Sequence, residues 1–363
     1  MLLICIVCQA LCTFLASISP SVHFFSFCRL LQGACYTGAN LVAWVTAYEH
    51  THTDLRWFTT FLFGATWVVG YSVVALLAYI SSTWREMMVW GAGSTLIFTL
   101  WCWRFVPETL HFLVSRRRAK SINEWLSDSD FTPSHLSDIS TLLQHPGDSH
   151  TSEKSSFFHE LRMHKIFIVY CLIQLYLWTC DNFIYFGLSL YSTQLAGNRY
   201  ANYLLMGFVE LPAYILAPMS LEKCGRRLVV SGTHLLAAVC FIIPVFSRDD
   251  SWLSLTCWLV GKFAISCSFM SLFVYASEVF PTPIRNVSVG LCSVLSRGGA
   301  IAAPYIRLLG AISPTSPMFL LASISFLASV VTCLLPETHR KPLPASIRQT
   351  THDFPDLPAT RSH

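Results

Sequence analysis

Four ionisable residues lie in the middle of long apolar stretches of this sequence: Asp181, Glu210, Lys262 and Arg297. An ionised side chain at the centre of a lipid bilayer costs about 2.5–3.5 kcal/mol on insertion scales. Such a residue therefore needs a partner of opposite charge, a water-filled cavity or a functional role. The four side chains could bind a charged solute, or they could pair with one another and only hold helices together.

The composition indicates that the solvent around these stretches is lipid. Of the 363 residues, 53% are hydrophobic and only 12% are charged, about half the charged fraction of a typical soluble domain. The mean hydropathy is +0.52. We therefore predict a polytopic membrane protein. The basic residues occur in short loops and form no stripe, so we expect no nucleic-acid partner.

The sequence contains no motif that predicts catalysis or a cofactor. Cys5, Cys8 and Cys12 share a helical face, but no His or carboxylate joins them, so we interpret them as packing residues rather than metal ligands. No phosphate-binding loop and no nucleophile–base arrangement is present. We expect no enzyme activity, no metal and no cofactor.

Ten segments are long and apolar enough to cross a bilayer as helices, for which about 20 residues are needed. The fold class is therefore predicted to be an all-α membrane protein. The predicted spans are 2–19, 22–46, 58–80, 86–105, 165–191, 200–219, 228–246, 252–277, 287–309 and 318–335.

The positive charges predict the orientation of these spans. When the polar, Ser-rich stretch 106–164 is placed in the cytoplasm, nearly all loop Lys and Arg residues fall on that side. The outer loops then contain only Arg199 and Arg248, with Arg85 at the edge of a span. This asymmetry agrees with the positive-inside rule.

A repeat divides the chain into two related halves. The phrase Pro107-Glu108-Thr109 returns 229 residues later as Pro336-Glu337-Thr338, and the same offset relates Glu49 to Glu278 and Arg56 to Arg285. Two repeats in the same orientation are a known transporter plan. We therefore predict an N-terminal bundle at 1–105, a cytoplasmic linker at 106–164, a C-terminal bundle at 165–335 and a disordered cytoplasmic tail at 336–363.

The repeat also predicts that the two halves are unequal. The basic loop at 222–227 lies between the sixth and seventh spans, and its counterpart would fall before Met1. The second half has six spans and the first has four. The expectation is a protein of 12 spans whose first two are missing, as in a truncated isoform, a mis-started gene or a fragment.

Several phrases resemble the major facilitator superfamily, and more narrowly solute carrier family 22, the organic ion transporters. They are "FCRLLQGACYTG", "VPETLHFLVSRRRAK", "AGNRYANYLLMGFVELPAYILA", "LVGKFAISCSF", "YASEVFPTPIRNVSVG", "SRGGAIAAP" and "LLPETHRKPLP". The resemblance covers about 1–345 and implies the fold of that superfamily, with two parallel-related helical bundles. One departure is Leu110-His111, where the family has Pro-Arg.

The resemblance implies a central pathway lined by the spans that carry the four ionisable residues. Cation carriers of the family tend to have Asp at the position of Arg297, whereas anion and carnitine-type carriers have Arg. The phrase around Glu210 is similar to cation and carnitine-type members, and anion carriers typically have Lys where Tyr214 stands. Together these residues favour an organic anion or a zwitterion over a simple cation. The expected substrate-binding residues are Arg297, Lys262, Glu210, Asp181, Tyr185, Trp178 and Tyr214.

A second group of residues is expected to act at the cytoplasmic ends of the bundles. Charge pairs there could hold an inner gate shut, and rocking of the halves would break and remake them. The alternative is that these charges serve only as positive-inside anchors. The group comprises Glu49, Arg56, Glu222, Arg226, Arg227, Glu278 and Arg285.

The sequence therefore predicts a multi-pass transporter of small organic ions that works by alternating access in the plasma membrane. Its expected partners are the substrate, the lipid bilayer and a coupling ion. The alternative is a membrane protein that does not transport: a receptor-like protein, a partner-binding subunit or an inactive truncated isoform.

Overall fold

The computed structural model of the protein describes residues 2–51, 56–105, 165–192, 197–246, 251–281, 285–313 and 315–339. Every regular element within these ranges is helical, as the apolar runs predict. The helices are α1 (Leu2–Ser17), α2 (Val22–His50), α3 (Arg56–Ile80), α4 (Trp84–Phe105), α5 (Lys165–Tyr191), α6 (Arg199–Phe208), α7 (Glu210–Cys224), α8 (Arg226–Phe246), α9 (Ser251–Val279), α10 (Arg285–Leu295), α11 (Arg297–Ala302), α12 (Ile306–Ile312) and α13 (Ser316–Thr332).

Six segments are long and apolar enough to cross a membrane, and two more helices, α1 and α13, are apolar but shorter. Each of the eight corresponds to one predicted span, although several extend beyond the predicted bounds, and the number of ten spans stays a prediction. The six segments are Phe61–Ile80, Phe167–Tyr191, Arg199–Cys224, Arg226–Phe246, Trp252–Val279 and Val287–Ile312.

Two of the predicted spans are interrupted helices. Span 200–219 consists of α6 and α7, which meet at Val209. Span 287–309 breaks at Ser296 and again at a 3-10 turn, Ala303–Tyr305, which contains a proline. The first break makes Glu210 the first residue of α7, where the partial positive charge of the helix N-terminus favours a carboxylate.

The chain forms two compact units. The N-terminal unit comprises Met1–Phe63 and Val73–Glu153, and in its described part α1 packs against both α2 and α4. Phe25 and Trp84 meet edge to face at 5.5 Å, and Arg85 Nη2 donates to the carbonyl of Ser19 at 3.4 Å. The start of α2 is thus tied to the start of α4.

The C-terminal unit comprises Gly64–Ser72 and Lys154–His363, so it includes the middle of α3. Helix α8 packs against α9 and α13, while α5 packs against α9 and α11. Gly299 of α11 lies directly against the backbone of α5 at Thr179 and Phe183, where a larger side chain would collide. The largest fully buried side chains of the described residues all belong to this unit, and they begin with Trp178, Trp258 and Tyr275.

Candidate functional site

A buried ion pair joins α7 to α9 in the C-terminal unit. Lys262 Nζ lies 3.1 Å from Glu210 Oε1, and both side chains are completely inaccessible to solvent. The break at Val209 sets the position of Glu210, and Lys262 lies in the middle of α9. Because each charge would be costly alone in the membrane interior, the two residues stabilise each other in their charged forms.

Two tyrosine hydroxyls satisfy the carboxylate of Glu210. Tyr185 OH donates to Oε1 at 2.7 Å, and Tyr214 OH donates to Oε2 at 2.7 Å. Tyr185 OH in turn accepts a hydrogen bond from Trp67 Nε1 at 2.9 Å. The Glu210 side chain is therefore held by α5, by its own helix α7 and by α9, and α3 supports it through Trp67.

The ammonium group of Lys262 has three neighbours besides Glu210. It lies 3.0 Å from the centroid of the Tyr185 ring, which is a cation–π contact. It also donates to Ser189 Oγ at 2.9 Å and to the carbonyl of Tyr185 at 3.4 Å. The expected site residues Glu210, Lys262, Tyr185 and Tyr214 thus form one cluster, which we call the Glu–Lys cluster.

Asp181 lies in a different ion pair. His234 Nε2 of α8 lies 3.1 Å from Asp181 Oδ1, and neither side chain is exposed. Ser268 Oγ of α9 donates to Asp181 Oδ2 at 2.9 Å. Helix α5 links this pair to the Glu–Lys cluster, because Asp181 precedes Tyr185 by one helical turn.

Trp178 lies on the same stripe of α5 as these two residues. Its ring packs edge to face on Phe273 at 4.5 Å. The stripe also includes Gln174 and Asn182, because residues three or four apart share a helix face. Gln174, Trp178, Asp181 and Asn182 are all buried, and each keeps a polar atom without a hydrogen-bond partner among the described residues. We call this stripe of buried side chains with unpaired polar atoms the polar strip.

Arg297 lies apart from both ion pairs. Its side chain is exposed, and the structure shows no hydrogen bond or ion pair from it to another described residue. Its neighbour Ser296 accepts a hydrogen bond from Asn182 Nδ2 at 3.0 Å. Arg297 therefore begins α11 beside the polar strip, but it does not join Asp181, Glu210 or Lys262 in one cluster.

Of the charge pairs expected at the cytoplasmic ends of the bundles, the described residues include the one between Arg226 and Glu278. Arg226 Nη2 donates to Glu278 Oε1 at 2.8 Å and Arg226 Nε donates to Oε2 at 2.9 Å. Their side chains are only 16% and 18% exposed. Thr338 Oγ1 adds a third hydrogen bond to Oε2 at 2.6 Å. The guanidinium therefore binds the carboxylate in a bidentate geometry, which strengthens such ion pairs.

The other members of the cytoplasmic group have different positions. Arg285 Nε donates to the carbonyl of Phe280 at 3.3 Å. Glu222 is exposed near the end of α7, and Arg227 is half-buried at the start of α8. The side chains of Glu49 and Arg56 lie outside the described residues.

Sequence reasoning missed three polar residues that complete these sites: His234, Ser268 and Glu337. His234 was detectable, because it is an isolated titratable side chain in the apolar run 226–246. Ser268 offers no such signal among the many serines of the chain. The sequence marks Glu337 only as part of the repeated Pro-Glu-Thr motif. Its hydrogen bonds show that this motif contacts the start of α8.

Glu337 binds the beginning of α8. Its Oε1 accepts hydrogen bonds from the backbone N–H groups of Arg226, Thr338 and His339, and its Oε2 accepts one from Arg227. Gly225, with φ of +86°, makes the turn that exposes these N–H groups. A carboxylate at this place satisfies helix donors that would otherwise lack partners.

Known proteins resemble the chain over most of its length. The sugar (and other) transporter family matches residues 1–346. "Putative transporter B0252.3" of Caenorhabditis elegans is 41% identical over 336 residues, which are 93% of this chain and 69% of that protein. Solute carrier family 22 member 21 of Mus musculus is 30% identical over 345 residues, 92% of this chain and 60% of that protein.

The organic cation/carnitine transporter 2 of Homo sapiens is 30% identical over 350 residues, 93% of this chain and 61% of that protein. The chain thus spans between 60% and 69% of the lengths of these three relatives. Among solved structures, the inward-open xylose transporter XylE from E. coli matches with a TM-score of 0.65 at 16% identity, over 94% of this chain and 81% of that one.

The XylE likeness shows the helical fold of the major facilitator superfamily. The relatives that match are transporters and not enzymes, in agreement with the absence of catalytic motifs from the sequence. The chain belongs to the sugar (and other) transporter family, and the relatives that it resembles include members of solute carrier family 22.

Proposed function

We propose that this protein carries small organic ions across a membrane by alternating access, and that zwitterions or organic anions of the carnitine kind are preferred over simple cations. The observation that carries this proposal is the Glu–Lys cluster, in which one anion and one cation share a fully buried place. Family membership supports the transport class, and the name of the human relative supports the kind of substrate.

The cluster favours a substrate that bears both charges. When a substrate ammonium group approaches Glu210, the Lys262 ammonium loses its partner. Breaking a buried ion pair on one side costs about 3–5 kcal/mol. A zwitterion avoids this cost, because its carboxylate can take the place of Glu210 beside Lys262. A simple cation offers no such replacement.

The aromatic residues provide the remaining contacts in this proposal. The Tyr185 ring, which already faces an ammonium group, would hold a quaternary or primary ammonium of the substrate by the same cation–π attraction. Tyr214 would release its hydrogen bond to Glu210 when the substrate arrives. Trp178 would form part of the wall, on the same helix stripe as Tyr185.

Arg297 and Asp181 are proposed to serve the substrate in different ways. Arg297 has an exposed guanidinium, whose planar fork suits a carboxylate, so we assign it the capture of the anionic end. Asp181 already pairs with His234, so its influence on the substrate would act through α5.

The cytoplasmic group is proposed to form the inner gate. Arg226 and Glu278 would separate and rejoin as the protein alternates between its two states. Arg285, Arg227 and Glu222 lie near this pair in sequence and are assigned the same role. Glu49 and Arg56 would act in the N-terminal half, by the repeat. We assign the protein to the plasma membrane, where this family meets extracellular solutes.

Uptake of radiolabelled probes into cells that express the full chain tests the proposal. The probes are L-carnitine as a zwitterion, tetraethylammonium as a simple cation and a small aromatic carboxylate as an anion. Carnitine or carboxylate uptake above that of mock-transfected cells, reduced by Arg297→Ala, supports the proposal. A surface-expressed protein that transports none of the probes supports instead the alternative of a non-transporting membrane protein.

A further inference from the structure

A second titratable cluster lies in the C-terminal unit and has no part in holding the Glu–Lys cluster. It consists of Asp181 on α5, His234 on α8 and Ser268 on α9, and we call it the Asp–His cluster. All three side chains are fully buried. His234 Nε2 lies 3.1 Å from Asp181 Oδ1, and Ser268 Oγ lies 2.9 Å from Asp181 Oδ2. Three helices therefore converge on one carboxylate and one imidazole.

The neighbours of the imidazole determine where its protons can be. His234 Nδ1 lies 2.8 Å from the carbonyl oxygen of Val230, and a carbonyl can only accept, so Nδ1 carries a hydrogen. Nε2 then faces Asp181 Oδ1. That oxygen has no well-directed hydrogen bond among the described residues, although it lies at ion-pair distance. The contact is attractive only when a proton lies on Nε2 or on Oδ1.

The charge of the cluster changes with this one proton. With the proton present, the pair is neutral overall, as an aspartate with an imidazolium or as a carboxylic acid with an imidazole. Without it, a net negative charge remains in a buried place, where an unpaired charge is costly. The hydrogen bond from Ser268 to Oδ2 lowers that cost but does not remove it. Loss of the proton thus requires a structural change that admits water.

The adjoining helices supply few competing charges. The thiol of Cys180 is next to Asp181 and lies 3.8 Å from the carbonyl of Ile324. On α9 the nearest charged residue in sequence is Lys262, which is paired with Glu210. Helix α13 contains no Asp, Glu, Lys, Arg or His.

Other basic residues lie on α8 itself or on elements that pack against α5 or α8. Lys223 of α7 is exposed, and Arg285 of α10 donates to the carbonyl of Phe280 at 3.3 Å. Arg297 of α11 is exposed, and Arg307 of α12 donates to the carbonyl of Leu190 at 2.8 Å. Arg226, at the start of α8, is paired with Glu278. The structure shows no hydrogen bond or ion pair from these basic residues to Asp181 or His234 in its described part.

We propose that the Asp–His cluster is a proton-binding site, and that its proton couples to the transport proposed above, on which this coupling rests. The proton enters from water on one side of the membrane, is shared between Nε2 and Oδ1, and leaves to water on the other side. Only N–H and O–H bonds form and break. The unpartnered polar atoms of Gln174, Trp178 and Asn182 on the same stripe of α5 could orient the water molecules that carry the proton to and from the pair.

Helix α5 connects the two clusters. Asp181 lies one turn before Tyr185, whose hydroxyl binds Glu210 and whose ring faces Lys262. Any movement of α5 that opens the Asp–His cluster to water therefore also shifts the residue that joins both charges of the Glu–Lys cluster. This arrangement gives the proton a direct mechanical connection to the proposed substrate residues.

Nitrogen NMR of ¹⁵N-histidine-labelled full-length protein in lipid vesicles tests proton binding without any substrate. The His234 signal is assigned by its loss in His234→Gln, and the exposed His23 serves as an internal reference. We expect the His234 signal to change protonation state between about pH 5 and pH 9, and to shift its titration in Asp181→Asn. A His234 signal that is constant over this range would overturn the proposal.

Uptake of L-carnitine tests the coupling. An inward proton gradient should raise the initial rate several-fold over that with a protonophore, and this ratio should fall to unity in His234→Gln while His23→Gln keeps it. A wild-type ratio of unity, with His234 titrating, would overturn the coupling. If no probe is transported at all, the proposed function fails, and the NMR titration alone decides whether the proton site exists.

Discussion

The carboxylate of Glu337 accepts a hydrogen bond from the backbone N–H of Arg226 at 2.9 Å, so the segment that follows α13 caps the start of α8. This contact gives a structural reason for the phrase Pro-Glu-Thr. Its glutamate fixes a helix N-terminus, while its threonine donates to Glu278, the partner of Arg226. This tripeptide therefore accepts a hydrogen bond from the backbone N–H of Arg226 and also donates to Glu278, which binds the Arg226 side chain.

Replacing Glu337 by Gln should lower the thermal stability of the purified protein. The amide keeps one acceptor oxygen, but its NH₂ group would face a backbone N–H that now donates to Oε1 or Oε2. We expect a loss equivalent to about 1–2 kcal/mol, as for a removed helix cap. The midpoint of thermal unfolding in detergent measures it. The control is Glu222→Gln, an exposed carboxylate that should change the midpoint little, and equal shifts in the two variants would contradict the cap.

Arg226 and Glu278 should show a measurable coupling energy. The guanidinium binds Glu278 through Nε and Nη2 and lies 2.6 Å from His339 Nδ1 through Nη1. A lysine ammonium cannot reproduce this fork. In a double-mutant cycle of Arg226→Lys and Glu278→Gln, unfolding midpoints should give a coupling of about 1–2 kcal/mol. Additive single effects would show that the pair contributes no specific stability.

The sequence predicts the helical architecture well, because long apolar runs leave a chain in lipid few alternatives to helices. The predicted bounds of α5 agree with the observed Lys165–Tyr191. The breaks at Val209 and Ser296 were not predicted, although Gly207 and Pro212 flank the first and Gly298 and Gly299 follow the second. A proline has no N–H to donate to the carbonyl four residues earlier, so Pro212 gives a local reason for the first break.

The sequence predicts the residue types of the candidate site but not how they pair. A charged residue is conspicuous within an apolar run of sequence, so Asp181, Glu210 and Lys262 could be predicted to be buried. Which anion meets which cation depends on the helix arrangement, and the sequence could not reveal that Asp181 pairs with His234. Arg297 was grouped with the buried charges, yet it is exposed in the structure, because periodicity does not tell which face of an apolar helix is covered.

Neutralising both members of the Glu–Lys cluster should separate its structural role from its proposed substrate role. Glu210→Gln or Lys262→Met alone leaves an unpaired buried charge, so each should cost about 3–5 kcal/mol of stability. The double variant should recover most of that loss, as judged by thermal unfolding and surface expression. Carnitine uptake should stay abolished in the double variant. Recovery of uptake together with stability would mean that the pair only holds helices.

Gly64 should be essential for the position of the Tyr214 ring. A Cβ at Gly64 would lie 2.5 Å from Tyr214 Cδ2, so an alanine there must displace the ring and break its hydrogen bond to Glu210 Oε2. Replacing Gly by Ala within a helix otherwise stabilises by about 0.5–1 kcal/mol. We therefore expect Gly64→Ala to lower both thermal stability and carnitine uptake.

Gly70 provides the matched control for this prediction. It lies on the same helix, and a Cβ there would meet no atom within 4 Å, so Gly70→Ala should raise the unfolding midpoint slightly. Tyr214→Phe removes the hydroxyl without the collision and should reproduce the transport defect of Gly64→Ala, with no further loss when the two are combined. Gly64→Ala with the stability and uptake of Gly70→Ala would refute this role, because the ring of Tyr214 would then have room to move without losing Glu210.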